Sequence, residues 1–182
     1  IMIDTLINNI YQQTISKPIS VNGVGLHSGI SVSIKLLPAN PDYGIKFIRT
    51  DVSKNNVIDA LWSNVSNTRL STTISNNNGV SVSTIEHLMS ALSGLHIDNL
   101  KIEINGPEVP IMDGSSKEFV NIIDSIPSKI LNKKRKIIKI NKNIKVVNGD
   151  SYVELKPNKQ FSIDFEIDFP SEVISKQSCQ LQ

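Results

Sequence analysis

The side chains with the widest chemical range in this sequence are three histidines, His27, His87 and His96. None forms an HExxH pair, and none has Asp or Glu four residues later, so the common helical zinc-protease arrangement is absent. His87 stands apart because Glu86 precedes it. A metal ligand and a general base can share one helical turn, the imidazole reaching an ion and the carboxylate its water. A Glu-His dipeptide is nevertheless common, and a hydrogen-bonded structural histidine is the plainer reading. His27 lies in Gly25-Leu26-His27-Ser28-Gly29, where glycines let backbone approach a ligand closely, although a turn without function fits the residue types as well. Asp113, before Gly114-Ser115, is a candidate carboxylate, but Asp at a helix start commonly satisfies free backbone N–H groups. Cys179 is the sole cysteine and has no histidine near it in sequence, which gives a nucleophilic role little support. A single cysteine also excludes an intrachain disulfide and any multi-cysteine zinc site.

The elements that must position these residues follow from hydrophobic period. Thr14 to Val21 leads into a turn signal at Asn22-Gly23-Val24-Gly25. Ile30 to Leu36 alternates apolar and polar residues, the pattern of a half-buried strand, and Ile45 to Arg49 reads as its returning strand after the Pro38–Gly44 turn cluster. Leu70 to Ile74 is a short strand. Thr84 is the expected N-cap of a helix from Ile85 to Ser93, closed by Gly94, with Ile85, Leu88, Met89 and Leu92 on one face. Glu86 and His87 then sit on its first turn. Leu100 to Ile104 is another strand, and Ser115 or Ser116 caps a second helix through Phe119 and Ile123. A boundary follows from Pro127 to Lys136, in which the basic run Lys133-Lys134-Arg135-Lys136 reads as a solvated linker. Ile137–Val147, Tyr152–Lys156 and Phe161–Phe169 are further strand-like segments. The expected class is α+β: a two-layer domain over residues 1–130, then a linker and the opening of a second, similar domain over 131–182.

Composition narrows the function classes. The chain has 182 residues, 39% of them hydrophobic, and a formal net charge of +2, too small to argue for a nucleic-acid or membrane partner. No stretch of about 18 apolar residues is present to span a bilayer. Ile1 to Ser20 lacks a basic-then-apolar signal pattern, so a cytoplasmic location is expected. Neither Ile1 nor the polar run from Ser178 to Gln182 resembles a natural terminus, and a fragment of a longer chain is expected.

Taken in order, four segments resemble one family. Gly23-Val24-Gly25-Leu26-His27-Ser28-Gly29 resembles the GVGLHSG signature of the zinc-dependent UDP-3-O-acyl-N-acetylglucosamine deacetylases. Ser83-Thr84-Ile85-Glu86-His87-Leu88 resembles their STxEHL motif, and Gly94 to Asn99 its G-x-x-IDN continuation. Asn105 to Ser115 resembles their N-x-x-E-[IV]-P-[IV]-x-DGS segment, and Ile167-Asp168-Phe169-Pro170 is similar to the strand ending that opens their second domain. The resemblance spans nearly the whole chain.

It implies a two-layer α/β sandwich of the ribosomal protein S5 domain 2-like kind, followed by the truncated start of a second one. It implies hydrolysis of the N-acetyl group of UDP-3-O-acyl-N-acetylglucosamine, the committed step of lipid A biosynthesis, with Zn²⁺ as cofactor. His87 matches the first-domain zinc ligand, Glu86 the general base, and His27 the signature histidine near the substrate cleft. Leu70 and Ser71 match cleft-lining residues, and Asp168 and Phe169 a region near the nucleotide. The other two ligands, a histidine and an aspartate, and a further histidine assisting the intermediate belong to the family's later second domain. The implied partner is the sugar nucleotide, with no nucleic acid, no transmembrane segment and a monomeric full-length protein. His96 departs from the pattern, standing where the family has a small residue. Ser71 replaces a frequent cysteine, and Ser151 stands where some members carry lysine. Two readings compete: a non-catalytic remnant or ligand-binding module that keeps the first domain, and an RNA-binding module, against which the small charge and the lack of aromatic-basic interleaving count.

Overall fold

The computed structural model describes residues 10–181, and the chain divides into two compact units, Ile1–Arg135 and Lys136–Gln182. The first nine residues of the Ile1–Ser20 segment lie outside the described residues. The first unit opens with strands β1 (Tyr11–Ile15), β2 (Ile19–Val24), β3 (Ser31–Pro38), β4 (Ile45–Arg49) and β5 (Val57–Asp59). A 3-10 turn at Trp62–Asn64 leads to β6 (Val65–Asn67), β7 (Thr73–Ser75) and β8 (Ser81–Val82). Helix α1 (Glu86–Gly94), β9 (Leu100–Ile104), helix α2 (Lys117–Asp124) and β10 (Ser128–Lys134) complete it.

Five strands form one sheet in the order β2-β3-β9-β4-β5. The expected β3–β4 hairpin is not formed, because β9 lies between them, antiparallel to β3 and parallel to β4. Its three apolar side chains explain the choice: Leu100, Ile102 and Ile104 are fully buried and extend the apolar rows of Ile34 and Leu36 on one side and Phe47 on the other. Leu88, Ala91 and Leu92 of α1 and Phe119 and Ile123 of α2 share one core with these strands. Each large side chain so buried contributes about 1.5–3 kcal/mol, so α1 is held by its packing face while its first turn remains half-buried. The arrangement is α+β, with β6-β7-β8 as a second small sheet and β1-β10 as a separate antiparallel pair.

Three local expectations change. The segment Asn22–Val24 stays in β2, and the turn falls instead at Gly25–Ile30, where Gly29 has φ 64° and donates its N–H to the Gly25 carbonyl. The Pro127–Lys136 stretch is mostly β10, and Arg135 Nε donates to Asp98 Oδ1 at 2.7 Å, so the basic run is tied to the first unit as far as Arg135, and the second unit opens at Lys136. Gly94 does not close α1. His96 takes the left-handed position (φ 57°), its N–H bonding to the Ser93 carbonyl and that of Ile97 to the Leu92 carbonyl. These two bonds form a Schellman motif, and histidine is one of the residues that tolerates its left-handed site. Gly94 is therefore an exposed helical residue with open space where a Cβ would sit. Gly94→Ala is expected to stabilise the unit by about 0.5–1 kcal/mol, seen as a higher urea midpoint with an unchanged slope.

The second unit contains two antiparallel hairpins, β11 (Ile144–Asn148) with β12 (Ser151–Leu155) and β13 (Ile163–Asp168) with β14 (Lys176–Leu181). Residues 137–143 do not join β11, so the strand expected from Ile137 begins seven residues later, at Ile144. Ser178–Leu181 of the polar run lie in β14, with Cys179, which is exposed, opposite Phe165. Val146, Val153 and Phe165 are also exposed. Among the described residues no helix is long and apolar enough to cross a membrane.

Candidate functional site

Glu86 and His87 are positioned by the two residues before them. The Ser83 N–H donates to the Pro107 carbonyl at 2.9 Å and the Val109 N–H to the Ser83 carbonyl at 3.0 Å, which fastens this strand end to Pro107–Val109. Thr84 then turns the chain with φ 55° while 2% exposed. A β-branched residue rarely adopts this conformation, which costs about 1–3 kcal/mol and persists only where surroundings enforce it. Thr84 is not the N-cap: Ile85 holds that position without a side-chain cap bond, and the Thr84 hydroxyl donates to Glu108 Oε1 at 3.0 Å. Glu86 opens α1, where a carboxylate suits the positive end of the helix dipole.

Glu86 also reaches a neighbouring loop. Its Oε2 accepts the Thr72 N–H at 3.0 Å, which brings the general-base candidate against the segment carrying Leu70 and Ser71. Leu70 adopts φ 63° and is 83% exposed, so it is a bend and not the start of the expected strand, which begins at Thr73. Ser71, Glu86 and His87 are all half-buried.

His27 lies on the Gly25–Ile30 loop with its side chain exposed. Its backbone N–H donates to Glu108 Oε1 at 2.9 Å, and that of Ser28 to Glu108 Oε2 at 2.8 Å. Glu108 is 2% exposed. Gly25 makes room for it: a Cβ there would collide with the Glu108 carboxylate and the Ser28 hydroxyl. Glu108 thus joins the loop of His27 to the turn that launches Glu86 and His87. Glu108 falls within the Asn105–Ser115 motif, but it was not among the candidate site residues. The available signal was a lone acid in the otherwise uncharged run Pro107-Glu108-Val109-Pro110-Ile111, a setting in which a carboxylate is buried only when hydrogen-bonded.

Burial opposes ionisation of Glu108, but donation from the His27 N–H, the Ser28 hydroxyl and N–H and the Thr84 hydroxyl outweighs it and lowers the carboxyl from 4.5 to about 2. A depressed carboxylate stabilises the fold fully above its unfolded value and loses that contribution as pH falls through the folded value. Stability is therefore expected to drop between pH 4.5 and about 2 as Glu108 takes up a proton. Urea denaturation across that interval checks this, and Glu108→Gln should flatten the slope at the expense of stability at neutral pH.

The remaining candidates fall elsewhere. Asp113 Oδ1 accepts the Ser115 N–H and hydroxyl, each at 2.9 Å, and the hydroxyl bond is the main cause of its lowered carboxyl. It serves the turn before α2. Asp168 and Phe169 belong to the second unit, Asp168 opposite Lys176 at the end of β13 and Phe169 donating its N–H to the Ser175 carbonyl at 3.2 Å. His96 lines a cavity of about 290 Å³ with Met89, Asp98 and Arg135. Among the described residues no three His, Cys, Asp or Glu side chains are grouped to hold a metal ion. Among the described residues, the Glu86–His87 pair offers one imidazole next in sequence to a carboxylate and does not by itself close a metal site.

Comparison with known proteins places the chain in a family whose members are named as deacetylases. Residues 12–182 match the model of a family described as UDP-3-O-acyl N-acetylglycosamine deacetylase. Similar curated proteins, each named UDP-3-O-acyl-N-acetylglucosamine deacetylase, come from Shewanella pealeana (46% identical over 167 residues, 92% of this chain and 55% of that protein) and Syntrophotalea carbinolica (46% over 168 residues, 92% and 54%). One from Myxococcus xanthus is 46% identical over 170 residues, 93% of this chain and 54% of that protein. The chain belongs to the UDP-3-O-acyl N-acetylglycosamine deacetylase family. It spans about half the length of the curated relatives it matches.

Proposed function

We propose that this chain contributes the general base and one metal ligand to the zinc-dependent removal of acetyl from UDP-3-O-acyl-N-acetylglucosamine in lipid A synthesis. The observation that carries the reading is the adjacency of Glu86 and His87 on the first turn of α1, with Glu86 tied to the Thr72 backbone beside Leu70 and Ser71. The substrate comes from the relatives' names. In the reaction, water oxygen adds to the acetyl carbonyl carbon while Glu86 takes one of its protons. Collapse of the intermediate breaks the C–N bond, and Glu86 returns that proton to the leaving nitrogen, giving acetate and the free amine. Zn²⁺, when bound, supplies Lewis acidity towards the carbonyl and the water. His87 is the ligand this chain offers, and the remaining ligands are sought in the part of the relatives it does not cover. His27, Leu70 and Ser71 are proposed substrate-binding residues, as are Asp168 and Phe169.

The same reading takes the first domain, residues 1–130, as an S5-type two-layer sandwich and 131–182 as the opening of a second, in a cytoplasmic, monomeric protein. The alternative is a non-catalytic remnant or ligand-binding module that keeps the first domain. Deacetylation of UDP-3-O-acyl-N-acetylglucosamine by the protein as its gene encodes it, with added zinc, separates the two. Product formation that a chelator abolishes supports the enzyme. Tight binding of the sugar nucleotide without product at saturating zinc would leave the binding module.

A further inference from the structure

The Asn105–Ser115 motif contains one buried acid that the proposed reaction leaves unused. The Glu108 carboxylate accepts hydrogen bonds from two separate segments: from the His27 loop the N–H of His27 at 2.9 Å and that of Ser28 at 2.8 Å, and from the turn before α1 the hydroxyl of Thr84 at 3.0 Å. Its own backbone is held by the bridge to Ser83, so the carboxylate projects from a fixed point. Thr84 sits two residues before Glu86, and its left-handed backbone sets the direction in which α1 begins. Without a partner the Thr84 hydroxyl would be a buried unpaired donor, and the strained φ would lose the contact that helps retain it.

We propose that Glu108 is a positioning residue for the Glu86–His87 pair, fixing it through Thr84 and setting the His27–Ser28 loop against it with the same carboxylate. The proposal rests on the reading of Glu86 and His87 as the reacting groups, and adds what holds them in register with the glycine loop. Two features separate it from a general stabilising role. The bonds run to the two segments that carry candidate site residues and to no part of the sheet. The space for the carboxylate is created by Gly25, within the His27 loop itself.

Solution NMR on the full 182-residue chain tests it without relying on turnover. In Glu108→Gln, exchange of the His27 and Ser28 amides should quicken by about 10- to 100-fold, the loss expected for hydrogen bonds to a charged group. The Glu86 and His87 side-chain resonances should shift, while amides of Ile34 and Ile102 keep their parental protection. Thr84→Val removes the hydroxyl at nearly constant volume and should reproduce the Glu86 and His87 shifts. Thr84→Ser, which restores the donor, should reverse them. Parental Glu86 and His87 resonances in Thr84→Val would overturn the proposal even if Glu108→Gln failed to fold. So would shifts that Thr84→Ser fails to reverse. Deacetylation by the protein as its gene encodes it, carrying the same substitutions and assayed with added zinc, tests the functional reading separately: if the unsubstituted protein forms no product, that reading fails while the resonances still decide the positioning.

Discussion

Glu86→Gln is expected to lower deacetylation by about 10²–10⁴-fold, the usual worth of a positioned general base, in the protein as its gene encodes it. Glutamine is the informative replacement because Glu86 does two things. Its carboxylate accepts the Thr72 N–H at 3.0 Å, and it is the proposed proton acceptor. An amide oxygen can keep the first role and cannot take up the second, so the loop carrying Leu70 and Ser71 should stay in place while turnover is lost. Glu86→Ala abolishes both and should cost some stability as well as rate. His87→Ala should act differently, lowering the zinc content after dialysis in proportion to activity. Retention of parental kcat by Glu86→Gln with an unchanged zinc content would remove Glu86 from the mechanism. Equal zinc content in His87→Ala and the parent would remove His87 as a ligand.

The residues behind that expectation were legible in sequence to different degrees. The 3.6-residue period of Ile85, Leu88, Met89 and Leu92 marked α1 and put Glu86 and His87 on its first turn, and α1 begins at Glu86. Local pattern sufficed because the hydrogen bonds of a helix and the apolar face it packs with both come from residues close in sequence. Strand pairing was not legible in the same way. The alternation of Leu100–Ile104 marked a strand, but its place between β3 and β4 depends on which apolar rows fit side by side, information held by residues over 50 positions apart. Caps failed for a similar reason. Thr84 has the right chemistry for an N-cap, yet its hydroxyl is claimed by Glu108, 24 residues away. Gly94 has the right chemistry for a helix stop, but packing of Ile97 onto the core carries the helix to a Schellman turn at His96. The lysines of the basic run at Lys133–Lys136 are exposed as expected, but the ion pairs of Lys133 with Asp42 and of Arg135 with Asp98 were not legible because those acids lie far away in sequence. The carboxylate of Glu108 was overlooked because its significance resides in what donates to it.

Gly25→Ala should be among the most damaging single substitutions in the first unit, lowering its stability by about 3 kcal/mol or more. The cause is space and not backbone freedom, since Gly25 is buried and lies outside the left-handed region that Gly29 occupies. A methyl group there would lie 2.9 Å from Glu108 Cδ and closer still to a carboxylate oxygen. The Ser28 hydroxyl can rotate away, but the carboxylate cannot move without releasing the N–H groups of His27 and Ser28 and the hydroxyl of Thr84. Each release leaves a donor unpaired near or within the core, and the charged acceptor remains buried with fewer partners. The mechanism predicts a particular failure of additivity. Glu108→Ala alone also destabilises, but it empties the space that the new methyl needs, so Gly25→Ala should cost far less in that background than in the parent. Urea denaturation of the parent, both single variants and the double variant measures the difference directly. Additive costs, or a Gly25→Ala midpoint equal to the parent's, would show that the glycine is not there to admit the carboxylate, and the steric link between the His27 loop and Glu108 would have to be abandoned.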